Sequence, residues 1–531
     1  MKMTKCFFIS SLFLSSSLFS QTLTDAIKQT TNEQFAKADA AFKALLLAQP
    51  TSGEIYFYYG ENYFKNDNIE SANATYQKGA DLNATNPLPY VGLGKVQWQQ
   101  GKLADAKSNF YKATTLAAGK NAIVLTKIAE EYINSETKDF IEAGKLLDLA
   151  QKLEPKNPEV LLLKGDAALE QSNDGSKAIA FYESAAKLDP KSVTAYLRIG
   201  QLWNRSKNYN AALDSYKKAS LIDSSFAPAY REMAEIYFRA GQYNNAVAKY
   251  KRYLALNNDC DALARYAGFL LEAKHYAESI DAAKEALKCN PKNIYLCRYL
   301  AYACYEVAPP DYTSGLENSK LFFAKATADT KIIPKDYEYQ AKLLSKNDKD
   351  SVSLQLAIVA FKKALELQPD KEELNGDIAA IYIKLKKWAE AISFYDKKIA
   401  ANKANVNDYF GLGRAYYFSK DFVKADSAIS QMIKLQPDLS YGYLWKAKVS
   451  VQQDLKNEKW LAKTYYEQYI SKVKPEDNDK NKRDLIDAYN YLAAYYAEKK
   501  DCPNVKLYMQ KVLELDPANS QAKKVLAGLK C

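Results

Sequence analysis

Residues 373–437 read ELNGDIAAIYIKLKKWAEAISFYDKKIAANKANVNDYFGLGRAYYFSKDFVKADSAISQMIKLQP, and one pattern occurs in them twice at an offset of 34 residues. Ile378, Ala379 and Tyr382 return as Leu412, Gly413 and Tyr416, and Ala391 and Tyr395 return as Ala425 and Ile429. The same ruler extends to both ends of the chain. Its first marker, a small residue at the eighth position, falls at Ala26, Gly60, Gly94, Ala129, Gly165, Gly200, Ala234, Ala267, Ala301, Ala341, Ala379, Gly413, Ala447 and Ala493. The second, at position twenty, is Ala in eleven of fourteen repeats, with Ser279, Ser319 and Val505 as the exceptions. Only Gly, Ala or Ser leaves room where two backbones pass within roughly 8–10 Å, so the markers read as sites of close crossing.

Composition bounds the rest. A chain of 531 residues, 48% hydrophobic and 26% charged, holds two to four ordinary domains or one extended repeat array. Only 19 Gly and 16 Pro favour helix, and most of the 41 Tyr are expected to pack with their hydroxyls at a wet edge. The net charge of +11 is spread evenly along the chain, which gives a mildly cationic surface compatible with acidic partners or peripheral membrane association.

A period of 34 with a small residue at position eight, an aromatic three later and Ala at position twenty resembles the tetratricopeptide repeat, or TPR. The resemblance covers the chain from Gln21 onward, although Tyr mostly replaces the family's Trp at position four. It implies an all-α, right-handed superhelical solenoid of about fourteen helix hairpins over residues 21–517, followed by a capping helix over residues 518–531 with Ala522, Val525, Leu526 and Leu529 on its buried side. Pro50, Pro155, Pro190, Pro291, Pro369, Pro437 and Pro517 fall where the second helix of a unit should stop. Units within residues 301–368 diverge most. Insertions inside hairpins are expected near residues 135–140, 309–315, 345–351 and 453–459, and one charged, mobile insertion between units at 474–484.

Residues 1–20 join a basic start, MKMTK, to a short serine-interrupted apolar run, and they look like a secretory signal peptide cleaved before Gln21. No later stretch is apolar enough for a membrane helix. Six cysteines follow. Repeat positions bring Cys260 near Cys289 and Cys502 near Cys531, so two stapling disulfides compete with the plain reading of all six as small packing residues. Cys297 and Cys304 stand two helical turns apart, too far to bond each other.

The single histidine, His275, excludes histidine-based catalysis and multi-histidine metal sites, and its turn position reads as plain surface. No phosphate-binding glycine loop, no GxSxG elbow, no zinc spacing and no cofactor motif is present. By the resemblance, positions two, five, nine and twelve of each first helix line a groove. These are Arg231, Glu235 and Phe238, then Tyr295, Arg298, Tyr302 and Tyr305, and later Phe410, Arg414, Tyr417, Tyr441 and Lys448. Aromatics among cations suit an extended peptide carrying carboxylates; the alternative is ordinary lining. The Lys and Asn residues of the chaperone-binding carboxylate clamp do not recur, and acids at position nine together with the leader argue against nucleic acid. The expectation is therefore a non-catalytic scaffold, exported to the periplasm or the periplasmic face of the outer membrane, that binds envelope-associated proteins as part of a secretion or outer-membrane assembly machine. The alternative is a soluble periplasmic module for peptides or cell-wall fragments.

Overall fold

The computed structural model describes residues 22–257, 259–347 and 350–529. The expected leader over residues 1–20 and Cys531 lie outside the described residues, so the Cys502–Cys531 pairing does too. Among the described residues there are twenty-nine α-helices, one short 3-10 helix and no strand. They form fourteen consecutive antiparallel hairpins, from Leu23–Thr31 with Phe35–Ala48 to Asn478–Glu498 with Cys502–Leu515, and a last helix Ser520–Gly528. The helices divide into two compact units, Met1–Tyr299 and Leu300–Cys531. In each, successive hairpins stack on one another.

Local sequence sets the helix ends. Each of the seven stop prolines stands two residues beyond its helix; Pro190 follows Leu188, and Pro437 follows Leu435. Starts are capped by short polar side chains, such as Ser192 accepting from the Ala195 amide and Asp421 from the Lys424 amide, which satisfies an otherwise orphaned donor. Inside the hairpins the tight turn needs one left-handed residue. Gly101 and Gly241 supply it freely, while Glu33, Lys207 and Lys420 adopt the same positive φ with a side chain.

The markers lie at the helix crossings. All eleven position-twenty alanines are wholly buried, and Ser279, also wholly buried, donates its hydroxyl to the Ala267 carbonyl at 2.8 Å. Where position eight is Gly, the side chain of position twenty-four packs against it, an aromatic ring at Gly60, Gly94, Gly165 and Gly200 and Ile429 at Gly413. A Cβ on Gly165 would stand 2.4 Å from Tyr182, and one on Gly200 2.4 Å from Tyr216. Tyr76, Tyr182 and Tyr216 are among the largest fully buried side chains. Each ring fills the space that the missing side chain leaves, so hairpin geometry is fixed by shape.

Of the expected interruptions, residues 135–139, 309–311 and 454–459 fall between helices, whereas residues 312–315 already belong to the helix Tyr312–Lys325; of the stretch 345–351, residues 345–347 end the helix Pro334–Asn347 and residues 348–349 lie outside the described residues. The insertion at residues 474–484 differs from expectation. It forms the 3-10 turn Pro475–Asp477 and then the first two turns of Asn478–Glu498, which at 21 residues is the longest helix described. Its Lys, Arg and Asp side chains are compatible with helix, and buried Leu485 and Ala488 anchor the next turn, so the charged stretch propagates from a packed segment. Cys260 and Cys289 are joined by a disulfide with their Cα atoms 6.1 Å apart, tying the start of one helix to the end of its partner. Cys297 and Cys304 are buried packing residues. In the final helix Ala522 is wholly buried while Val525 and Leu526, together with Leu529 just beyond the helix end, pack at the edge of the terminal core. No described helix is long and apolar enough to cross a membrane.

The glycine contacts give opposite expectations for one substitution. Ala is favoured over Gly in a helix by about 1 kcal/mol, whereas forcing a methyl into a packed crossing costs about 1–3 kcal/mol. Gly144→Ala, with nothing within 4 Å of the new methyl, should raise stability by up to about 1 kcal/mol. Gly200→Ala should lower protection of Val193–Arg205 and Tyr209–Ile222 in native-state hydrogen exchange, by about 1–2 kcal/mol.

Candidate functional site

The first helices of the hairpins line one face of each unit, and their polar residues interlock from one repeat to the next. Position nine meets position six of the following repeat. Arg198 clamps Asp166 with Nε 2.8 Å from both carboxylate oxygens, and Arg265 clamps Glu235 at 2.9 and 2.7 Å. Tyr302 stacks on Tyr339 with centroids 4.2 Å apart, and Trp445 lies beside Arg414. Elsewhere the partner comes from another register. Lys95 is bonded to Glu61 at 2.8 and 2.9 Å with both side chains nearly inaccessible, and Lys127 lies between Glu130 and Glu159 at 2.8 and 3.0 Å. Burial opposes ionisation of Glu61, but the Lys95 ammonium beside it holds the carboxyl below its usual range. Breaking such a buried pair by removing one partner strands a charge and typically costs about 3–5 kcal/mol.

In the first unit this face closes on itself. The turn of the first hairpin reaches the sixth and seventh hairpins, roughly 190–220 residues further along the chain. Asn32 donates to Asp223 and to Ser225, both at 2.9 Å, Gln34 donates to the Ser225 carbonyl at 3.2 Å, and Lys28 pairs with Asp223 at 3.0 Å. Arg231 donates to Glu33 at 2.6 Å and lies over the Tyr253 ring, whose hydroxyl also donates to Glu33. Although partial burial opposes it, hydrogen bonds from Ser225 and Asn32 bring the Asp223 carboxyl down to about 2. A charged, partly open cavity of about 220 Å³ lies beside the first helix, lined by Ile27, Thr30, Glu61, Lys127, Glu159 and Arg198 among others.

The twelve groove residues named from sequence thus fall into separate groups. Arg231 is engaged by Glu33 and Glu235 by Arg265, while Phe238 stacks on Phe269 beneath the same Arg265 guanidinium. Tyr295 and Arg298 form one cation–π pair. Tyr302 is buried and donates to Asp336 at 2.7 Å, and Tyr305 packs edge-on to Tyr339. The remaining five converge in the second unit. Phe410, Tyr417 and Tyr441 surround Trp445 with centroids 5.5–6.3 Å from it, Arg414 lies over Phe410 and Trp445, and Lys448 approaches the same indole while pairing with Asp484. Sequence reasoning missed Glu33, Arg265, Tyr339, Trp445 and Asp484. Arg265, Tyr339 and Trp445 share position six, two residues before the small marker, which is the signal that could have found them. Glu33 lies in a turn and has no such signal.

A family model described as tetratricopeptide repeat matches residues 139–192, 162–225 and 231–294. Over 164 residues, 31% of its length, the chain is 24% identical to anaphase-promoting complex subunit 3 of Schizosaccharomyces pombe, and it spans 24% of that relative's length. Among solved structures it is 32% identical to the C-terminal part of a TPR repeat-containing protein from Cytophaga hutchinsonii, with 50% of this chain covering 100% of that one at a TM-score of 0.43. A tetratricopeptide repeat protein from Parabacteroides merdae is 16% identical, with 49% of this chain covering 98% of that one at a TM-score of 0.31.

One buried acid on this face has no hydrogen-bond partner at one oxygen. Glu131 is 5% exposed, its Oε1 is unmatched, and burial pushes the carboxyl from 4.5 up to about 7. With the folded pKa raised, the folded chain keeps a proton that the unfolded chain gives up. The stabilising contribution is complete below the unfolded pKa and is lost as pH rises through the folded one. The first unit should lose up to roughly 3 kcal/mol from this group between pH 4 and pH 8. Glu131→Gln should remove that slope and stabilise the protein at pH 8, read as hydrogen-exchange protection of Ala122–Asn134 at the two pH values.

Proposed function

We propose, from the premise that this chain belongs to the tetratricopeptide-repeat family, that it is a non-catalytic scaffold whose first-helix faces bind partner proteins in the bacterial envelope. The observation that carries this reading is the partly exposed aromatic cluster of the second unit, where Tyr441 is 38% and Phe418 45% exposed around a buried Trp445. Aromatic side chains with low conformational entropy and an apolar body are favoured at protein interfaces. The polar groups of the same faces pair from repeat to repeat instead of converging on a reacting centre. His275 is exposed on a turn, 3.2 Å from Glu278, away from any cavity described above. A scaffold of this kind needs only shape and a few anchoring contacts, which stacked hairpins supply.

Export rests on the leader-like residues 1–20, and with it the periplasm or the inner face of the outer membrane as the site of action, within a secretion or outer-membrane assembly machine. Protein recovered from its own cells should begin at Gln21 by intact mass. Affinity purification of the tagged full-length chain, with membranes solubilised, should recover a defined set of envelope proteins. Recovery of the chain alone, or of protein retaining Met1, would count against the scaffold and the export respectively.

A further inference from the structure

Seven cations occupy positions nine and six of the first helices, and six of them meet a carboxylate. Lys95 has Glu61, Lys127 has Glu130 and Glu159, Arg198 has Asp166, Arg265 has Glu235, Lys342 has Glu338 and Lys448 has Asp484. Arg414 is the seventh. It makes no ion pair or hydrogen bond among the described residues, and its Nε is buried without an acceptor. The Trp445 Nε1 beside it is a second buried donor without an acceptor. At the place where the ladder would put an acid, position six of the next repeat, there is Trp445, with the guanidinium carbon 5.7 Å from the indole and 5.4 Å from Phe410.

A guanidinium is charged at any physiological pH, and leaving it among aromatic rings without an anion forgoes the strongest hydrogen bonds available to it. The neighbouring Lys448 is neutralised by Asp484, so the patch keeps one uncompensated positive charge flanked by Phe410, Tyr417 and Tyr441. In the first unit every described cation at positions six and nine is paired with a carboxylate. Arg231, at position five, is held by Glu33 of the first hairpin and shares Tyr253 with it. That contact is an intramolecular example of a carboxylate entering such a face between an arginine and an aromatic ring.

We infer that Arg414 is the anchor for an extended segment of a partner protein that presents a carboxylate beside an apolar side chain, the carboxylate on the guanidinium and the apolar group against Phe410, Tyr441 and Trp445. The inference rests on the protein-binding reading above and names the chemistry of the segment bound. Charge complementarity selects the acidic side chain, and the surrounding rings select its apolar neighbour.

The test uses the full-length protein and two fluorescein-labelled octapeptides, one alternating Phe and Glu and the other its Phe and Gln isostere, with binding read by fluorescence anisotropy. The Phe–Glu peptide should bind, and the Gln isostere should bind roughly tenfold or more weakly, as loss of a charge-assisted hydrogen bond implies. Arg414→Gln should abolish that preference while circular dichroism stays unchanged. Tyr441→Ala, at an exposed ring, should weaken both peptides together. Equal affinity for the two peptides, an unchanged preference in Arg414→Gln, or no binding to the unaltered protein would overturn the inference. In parallel, purification from cells separates the two levels. If the unaltered chain recovers defined proteins and Arg414→Gln recovers the same set undiminished, the site is wrong and the scaffold stands; if the unaltered chain recovers none, the protein-binding reading itself fails.

Discussion

The structure depends on one steric condition, the passage of two helices so close that position eight and position twenty hold small side chains in every repeat but the last, where position twenty is Val505. Gly60 and Gly92 both face the Tyr76 ring at distances where a Cβ would overlap it, so a single tyrosine locks its own hairpin and the next one. The alanines at position twenty are wholly buried along both units. Close packing of this kind is unforgiving of added volume. Everything else about the fold, including the turn that needs a left-handed residue and the proline two residues beyond the helix, serves to bring the next crossing into register.

Once the crossings are fixed, the first helices stand side by side and their side chains meet at a spacing close to the repeat length. Charge on this face is therefore balanced locally, between repeats, as in Arg198 with Asp166 and Lys448 with Asp484. The first unit goes further and brings its own first hairpin onto Arg231. Functional capacity follows from what is left over. A face whose cations are all answered is a structural seam, and a cation without an acid among exposed rings is a place for another molecule.

Much of the fold was legible because it is periodic and local. The small markers, the stop prolines and the proximity of Cys260 to Cys289 are each set within a single repeat, and repetition multiplied a weak signal fourteenfold. The inner face was less legible for two physical reasons. Position six contributes as much as position nine, and Arg265, Tyr339 and Trp445 were invisible to a reading limited to positions two, five, nine and twelve. Glu33 meets Arg231 across 198 residues, through curvature accumulated over several hairpins, and no local pattern encodes that. The charged stretch at residues 474–484 was misjudged because composition suggested mobility, whereas helix propensity and the buried Leu485 decided the outcome.

The central claim is that the inner face is a ladder of ion pairs between neighbouring repeats, closed in the first unit by the first hairpin. Zero-length carbodiimide cross-linking of the intact chain, which joins only amines and carboxylates already in contact, followed by peptide mass spectrometry, tests it most directly. The account predicts links between Lys371 and Glu338, between Lys448 and Asp484, and between Lys28 and Asp223, whose atoms lie 2.6, 2.7 and 3.0 Å apart. Links from Lys28 confined to its own hairpin, or from Lys448 to acids more than one repeat away, would contradict it.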